Sequence, residues 1–220
     1  MPRAFPPNPY LNGKATIIGR PMCYACFRPS KQCVCCLVKP FKAHFNTLIL
    51  QHPHERKKYY STAKLLTRAI ANARILRGIE FDPNLLEIAL TGQKSYLLYP
   101  SPQAIDCADV CLDENCTVIV VDGTWNEAGK IVFRNEFLKS LPSLTFKQSI
   151  QSQYRIRKQP KAGCLSTLES VGHLLKLNAT VTGNEGLLGS YHSLFEGFER
   201  MIGQQLQYWP ARTWDNSQIA

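Results

Sequence analysis

Long apolar runs are missing from this chain. No stretch approaches the roughly 20 consecutive apolar residues that a membrane-spanning helix needs, and the mean hydropathy is -0.19. A transmembrane segment is excluded on that ground. The opening residues carry Pro2, Pro6, Pro7 and Pro9 but no apolar block ahead of a small-residue cleavage site, so they do not read as a secretory signal. A cytoplasmic setting is expected. Internal repeats and low-complexity blocks are absent too, which argues against a repeat architecture. Acidic residues are scarce: 16 stand against 26 Lys plus Arg, leaving a net charge of +10. That imbalance favours polyanionic partners through long-range attraction and counterion release, with nucleic acid the default candidate. The same charge also serves solubility or attraction to anionic membranes, so it narrows the partner without naming it.

What is present is enough for one packed domain. At 220 residues and 45% hydrophobic content the chain can bury a full core and carry a small appendage. Nine cysteines are unevenly spread. Cys23 and Cys26 form a C-x-x-C pair, followed after a basic loop by Cys33 and Cys35, with Cys36 adjacent. Two closely spaced thiolate pairs suit a tetrahedral zinc ion, because each pair can turn two sulfurs toward one point. Cys36 is an alternative to Cys35 as the fourth ligand. Cys107, Cys111, Cys116 and Cys164 lack a paired spacing and read mostly as core residues.

The stretch at 117–130, TVIVVDGTWNEAGK, joins a β-branched run to a helical pattern through Asp122-Gly123-Thr124-Trp125. In open α/β sheets ligands bind beyond the carboxyl ends of strands, so a carboxylate delivered there can take part in chemistry. The competing reading is a turn that caps a helix, with Trp125 as core filler. Two further short strands are predicted, at 46–51 and 95–100, and the spacing between the three favours parallel crossovers. Helical patterns cover 61–74, 125–138 and 186–208; the second has an inner face that includes Ile131, Val132, Phe133, Phe137 and Leu138. The first strand exits into His52-Pro53-His54-Glu55, where His52 and Glu55 can steer a proton or merely satisfy a turn. Arg155, Arg157 and Lys158 beside Tyr154 suit phosphate contacts with base stacking, or form a solvated turn. Ser166-Thr167-Leu168-Glu169 fits a capping box at a helix start, a place that also offers amide donors to an anionic ligand.

Taken together, QHPHE at 51–55, LLYPS at 97–101, DGTW at 122–125, RKQP at 157–160 and LSTLE at 165–169 resemble the DTW-domain family. The paired cysteines beside Arg28-Pro29 resemble that family's N-terminal metal motif, and the likeness runs from about Pro21 to about Leu206. The family comprises tRNA-uridine aminocarboxypropyltransferases related to the SPOUT class. The resemblance therefore implies transfer of the 3-amino-3-carboxypropyl group of S-adenosylmethionine to N3 of a tRNA uridine, with release of methylthioadenosine. It also implies an α/β fold: a SPOUT-like parallel-sheet domain with a trefoil-knotted cofactor site, plus a small N-terminal zinc-binding module. The expected division is a flexible arm at 1–20, the Cys-rich zinc module at 21–40, the catalytic domain at 41–208 and a tail at 209–220.

On that resemblance Asp122 is the first candidate to accept the uridine proton, with His52 and Glu55 in reserve. The donor is expected against Leu98, Tyr99, Pro100, Asp122, Gly123, Thr124, Trp125, Leu165, Ser166 and Thr167, with Glu169 a candidate for its α-amino group. Gly123 is expected to let the backbone approach the ligand closely. Arg56, Lys57, Lys58, Arg155, Arg157 and Lys158 are expected to grip tRNA phosphates, and Cys23, Cys26, Cys33 and Cys35 to hold zinc. Two departures from the family pattern bear on RNA contact: Glu127 and Gly129 flank Ala128 where basic residues are usual, and Ser61-Thr62 replaces Asn-Thr. A SPOUT-type RNA methyltransferase and a non-catalytic zinc-containing RNA-binding protein are the alternative functions.

Overall fold

The computed structural model describes residues 21–26, 28–58, 60–157 and 163–208. Its centre is a sheet of six parallel strands: β1 (Asn46–Gln51), β2 (Ala73–Arg77), β3 (Lys94–Leu98), β4 (Ile105–Asp106), β5 (Cys116–Asp122) and β6 (Ser143–Thr145), in the order β2-β1-β5-β3-β6-β4. The helices are α1 (Thr62–Ala69), α2 (Pro83–Leu90), α3 (Trp125–Arg134), α4 (Glu136–Ser140), α5 (Thr167–Thr182) and α6 (Glu185–Tyr208).

Successive residues of a strand point to opposite faces, and both faces here are covered. Ile49, Val118 and Val120 enter a large core with Leu65 and Leu66 of α1, Leu168 and Leu174 of α5 and Phe198 of α6. Leu48, Leu50, Leu97 and Ile119 enter a second core with Leu86 and Leu90 of α2, Ile131 of α3 and Leu138 of α4. This two-sided burial is why β1 and β5 read as unbroken apolar runs. Their register pairs Gln51 with Asp122, so the strands end side by side.

The three predicted strands are present, although β3 stops at Leu98 rather than at Pro100. The helix expected over 61–74 ends at Ala69 and is followed by the edge strand β2. Asn72 causes the break: its side chain accepts from the Ala43 amide and donates to the carbonyls of Ala43 and Phe45, holding a turn in place of another helical turn. The helix expected over 125–138 is split in the same way. Asn135 donates to the Ile131 and Ile79 carbonyls and accepts from the Phe81 amide, separating α3 from α4. Phe133, placed on the inner face by periodicity, is instead 74% exposed. Helix α2 was not among the expected helices; it starts at Asp82-Pro83, where Asp82 caps the Asn84 amide and proline suits a first helical turn.

The segment at 21–40 shares the large core through Cys26, Val34 and Val38. Arg68 of α1 donates to the Ala25 carbonyl at 2.7 Å, and α6 lies directly on the segment's end. Cys107, Cys116 and Cys164 are buried, as core residues should be, while Cys111 is exposed. The expected arm at 1–20 and tail at 209–220 lie outside the described residues. Among the described residues no helix is long and apolar enough to cross a membrane.

The contact of α6 with the Cys-rich segment has no room for a side chain at Gly197, where a Cβ atom would sit 2.3 Å from Val38 Cγ1 and 2.9 Å from the Leu37 carbonyl oxygen. Gly197→Ala is expected to cost about 1–3 kcal/mol, the usual range for overpacking, in a denaturant-unfolding experiment. An unchanged midpoint would mean that the segment does not dock there in solution.

Candidate functional site

A cavity of about 500 Å³ opens beyond the carboxyl ends of β1, β3, β5 and β6, within the range of about 300–1,000 Å³ typical of small-molecule sites. Strand β3 delivers Leu98, Tyr99 and Pro100 to it, β5 delivers Asp122 and the loop through Trp125, and the start of α5 delivers Leu165, Ser166 and Thr167. Ten residues expected around the donor thus meet in one place although they come from three separate stretches.

Asp122 is 6% exposed, yet the residue is part of the cavity lining. Gln51 Nε2 donates to Oδ2 at 2.8 Å and Thr167 Oγ1 donates to Oδ1 at 2.5 Å, so β1 and α5 hold it from two sides. Burial pushes the carboxyl above its ordinary 3.8, against the lowering effect of these two hydrogen bonds. A buried carboxylate of raised basicity beside a cavity is suited to accept a proton.

Glu55 also lines the cavity and is 2% exposed. Lys58 Nζ lies 2.6 Å from its Oε1, and Arg157 Nη1 lies 3.3 Å from the same atom. Arg157, expected to grip phosphate, itself lines the cavity and so is part of the pocket wall. Arg56 and Arg155 are exposed. Lys57 lies in the short 3-10 helix at Pro53–Lys57, and Lys158 falls outside the described residues. Tyr154, expected to stack on a base, is 3% exposed and donates its hydroxyl to the Tyr60 carbonyl while packing against Phe198. An open aromatic wall is supplied by Trp125, 43% exposed, with Tyr99 at a ring distance of 6.2 Å.

Two candidates have other geometry. Glu169 is fully buried and absent from the cavity wall; its oxygens accept from Ser152 Oγ and from the amides of Gln153 and Ser166, closing the capping box of α5. His52 is buried, and its ring is turned toward Glu127 at 3.3 Å. A second capping box starts α3: Glu127 Oε2 accepts from the Thr124 amide and hydroxyl, while the Glu127 amide donates to Thr124 Oγ1. Burial works against ionisation of Glu127, yet the Thr124 bonds, then His54 and His52, hold its pKa at about 2. A turn that caps a helix is therefore present at this loop, with Thr124 as the cap and Trp125 exposed rather than filling the core. Gly123 serves that box, since a Cβ atom there would lie 3.0 Å from Glu127 Cβ.

At the N-terminal side, the Sγ atoms of Cys23, Cys26, Cys33 and Cys35 lie within 4.8 Å of one another. The Cys23–Cys35 and Cys26–Cys33 separations are 3.8 and 3.9 Å, and a tetrahedron with Zn–S bonds of about 2.3 Å has edges of roughly 3.8 Å. Cys36 is exposed and stands outside the cluster. The donor set therefore fits zinc with Cys35, not Cys36, as its fourth member.

The sequence profile of the DTW domain matches residues 20–206. The chain belongs to the DTW domain family. Among its relatives, tRNA-uridine aminocarboxypropyltransferase 2 of Macaca fascicularis is 34% identical over 169 residues, covering 72% of this chain and 56% of that protein. The Mus musculus protein of the same name is 33% identical over 168 residues, with the same coverages of 72% and 56%. tRNA-uridine aminocarboxypropyltransferase A of Arabidopsis thaliana is 25% identical over 191 residues, covering 71% of this chain and 72% of that protein. This DTW chain thus spans little more than half the length of the two mammalian relatives. No solved structure matches it.

The raised pKa of Asp122 has a consequence for stability. The folded protein binds this proton more tightly than the unfolded chain, so the contribution is present at low pH and is lost as pH rises through the folded-state value. Asp122→Asn keeps an acceptor oxygen for Gln51 and offers an amide donor to Thr167 Oγ1, whose hydroxyl can accept it, without the buried charge. The variant is expected to be at least as stable as wild type at pH 7 and less stable relative to it near pH 3, as read by denaturant unfolding across pH. A variant with the same pH dependence as wild type would mean that Asp122 is not the burdened group.

Proposed function

We propose that this DTW protein transfers the 3-amino-3-carboxypropyl group of S-adenosylmethionine to N3 of a uridine in tRNA. The reading is carried by one observation: a buried, doubly hydrogen-bonded carboxylate, Asp122, in the wall of a cavity at the end of β5. The names of the relatives support the same activity. So does the fit of the wall to the donor, because Tyr99 and Trp125 offer flat apolar surface to a nucleobase and Arg157 offers a cation to a carboxylate. Helix α5 begins at the wall, where its first amide groups and positive dipole end add to the anion-binding side.

Uridine N3 is a poor nucleophile while protonated, so Asp122 takes the N3 proton as the N3–C bond forms. When bound, S-adenosylmethionine supplies a methylene made electrophilic by its sulfonium; the C–S bond breaks and its electron pair leaves with sulfur in methylthioadenosine. Gln51 and Thr167 keep the carboxylate aimed, and Glu55 pairs with Lys58 and with Arg157, of which Arg157 lines the cavity. Glu169 acts from behind the wall by fixing residues 152–153 to the start of α5. Arg56 and Arg155, which are exposed, are the residues proposed to grip phosphate, and Lys57, Lys58 and Lys158 are expected to act with them; the cytoplasm is the expected setting.

We further propose SPOUT-like kinship with a knotted cofactor cover; support comes from the all-parallel order with β6 between β3 and β4. The domain division at 21–40 and 41–208 is likewise proposed, with the cysteine segment a zinc-stapled extension of the RNA-binding face.

The chemistry is tested with two labels in the donor. Label in the aminocarboxypropyl carbons is expected in tRNA, and methyl label in methylthioadenosine. Methyl label retained in RNA would make the protein a methyltransferase, and no label in RNA would leave an RNA-binding protein. Asp122→Asn is expected to slow transfer by about 10²–10⁴-fold, the usual worth of a general base, with RNA affinity little changed. Replacing Cys23 and Cys26 by serine is expected to release one equivalent of zinc and lower Tm. A wild-type protein that is folded and contains no metal would refute the zinc assignment.

A further inference from the structure

Where β1 ends, the chain makes the tight turn His52-Pro53-His54 and runs past the start of α3. Glu127 Oε2 is engaged by the Thr124 amide and hydroxyl at 2.8 and 2.9 Å. Its other oxygen, Oε1, faces two imidazole nitrogens: Nδ1 of His52 at 3.3 Å and Nδ1 of His54 at 3.1 Å. Nδ1 of His52 also accepts from the His54 amide at 3.3 Å, which requires a lone pair on that nitrogen. A lone pair and a carboxylate oxygen then confront each other in a place where the His52 side chain is only 5% exposed. The one lone pair of His52 Nδ1 can go to the 3.3 Å contact with the His54 amide, to a proton or to a cation; of these only a cation engages His54 Nδ1 and Glu127 Oε1 at the same time.

We propose that His52, His54 and Glu127 form a second metal site, for a divalent ion of the zinc class, distinct from the cysteine cluster. The three donor atoms lie within 4.8 Å of one another. Their contacts of 3.1 and 3.3 Å to Glu127 approach the roughly 3.4 Å edge of a tetrahedron with bonds of about 2.1 Å. Two imidazoles and one carboxylate select zinc-like ions over magnesium or calcium, which prefer oxygen alone. With three protein ligands and His54 largely exposed, one position stays open to water. The ion sits behind the cavity wall: none of its three ligands lines the cavity, whereas Thr124, capped by Glu127, does. Its effect is to pin the exit of β1 to the start of α3, on either side of the loop that carries Asp122. His52 reinforces the pin by donating its amide to the Asp122 carbonyl at 2.9 Å.

The test measures Zn²⁺ retained at equilibrium dialysis by the full chain and by three variants. Glutamine can replace glutamate in a capping box, so Glu127→Gln removes the anionic ligand and keeps the cap; His54→Ala alters an exposed side chain. Both are expected to hold one equivalent fewer than wild type, or to bind it at least tenfold more weakly. A Cys23→Ser/Cys26→Ser double variant is expected to keep that equivalent. Added Zn²⁺ should raise Tm of the double variant, and the rise should vanish when His54→Ala is combined with it. Equal Zn²⁺ content in wild type and His54→Ala, or no rise in Tm, would overturn the proposal. These readouts do not depend on transfer to tRNA, so the activity and the metal site stand or fall separately.

Discussion

Everything at the functional end of this molecule depends on how one buried charge is kept. Asp122 is withdrawn from water at the end of β5, and two donors from different elements, Gln51 of β1 and Thr167 of α5, are its compensation. Without them a carboxylate at 6% exposure would bear the cost of burial uncompensated. With them, the end of the central strand, its neighbour and the last part of the chain are held to a common point. The cavity is what remains between them once that point is set.

The rest of the site follows the same economy of shared groups. Both capping boxes, Thr124 with Glu127 and Ser166 with Glu169, begin helices whose first residues line the cavity. Capping these helix starts ties down the loops before them, which suits the proposed in-line transfer between two bound molecules. Glu169 shows how a carboxylate can matter without touching a ligand, since it ties residues 152–153 to α5 from a fully buried position. Glu55 does comparable work on the wetter side by ordering Lys58 and Arg157. The basic residues thus divide into those turned toward the cavity and those left exposed, a division that net charge alone does not reveal.

The N-terminal cysteines pack closely against the rest of the chain. Cys26 is wholly buried in the larger core, Arg68 reaches the Ala25 carbonyl, and Gly197 lets α6 lie against Val38. A metal there would consequently stabilise the face of the sheet covered by α1, α5 and α6, in addition to the short segment that binds it.

The sequence by itself determined the strands β1 and β5, the helix starts at Thr124 and Ser166, and the cysteine pairs, because each is a matter of residue type at short spacing. It also contained the motifs through which the family was recognised. Local pattern did not disclose the breaks at Asn72 and Asn135, since each asparagine acts on backbone groups far along the chain. It could not tell Cys35 from Cys36, turn Arg157 inward, bury Tyr154 or aim His52 at Glu127. Those outcomes needed the tertiary structure, because parallel strands bring together residues dozens of positions apart, and only that closure decides which polar group meets which.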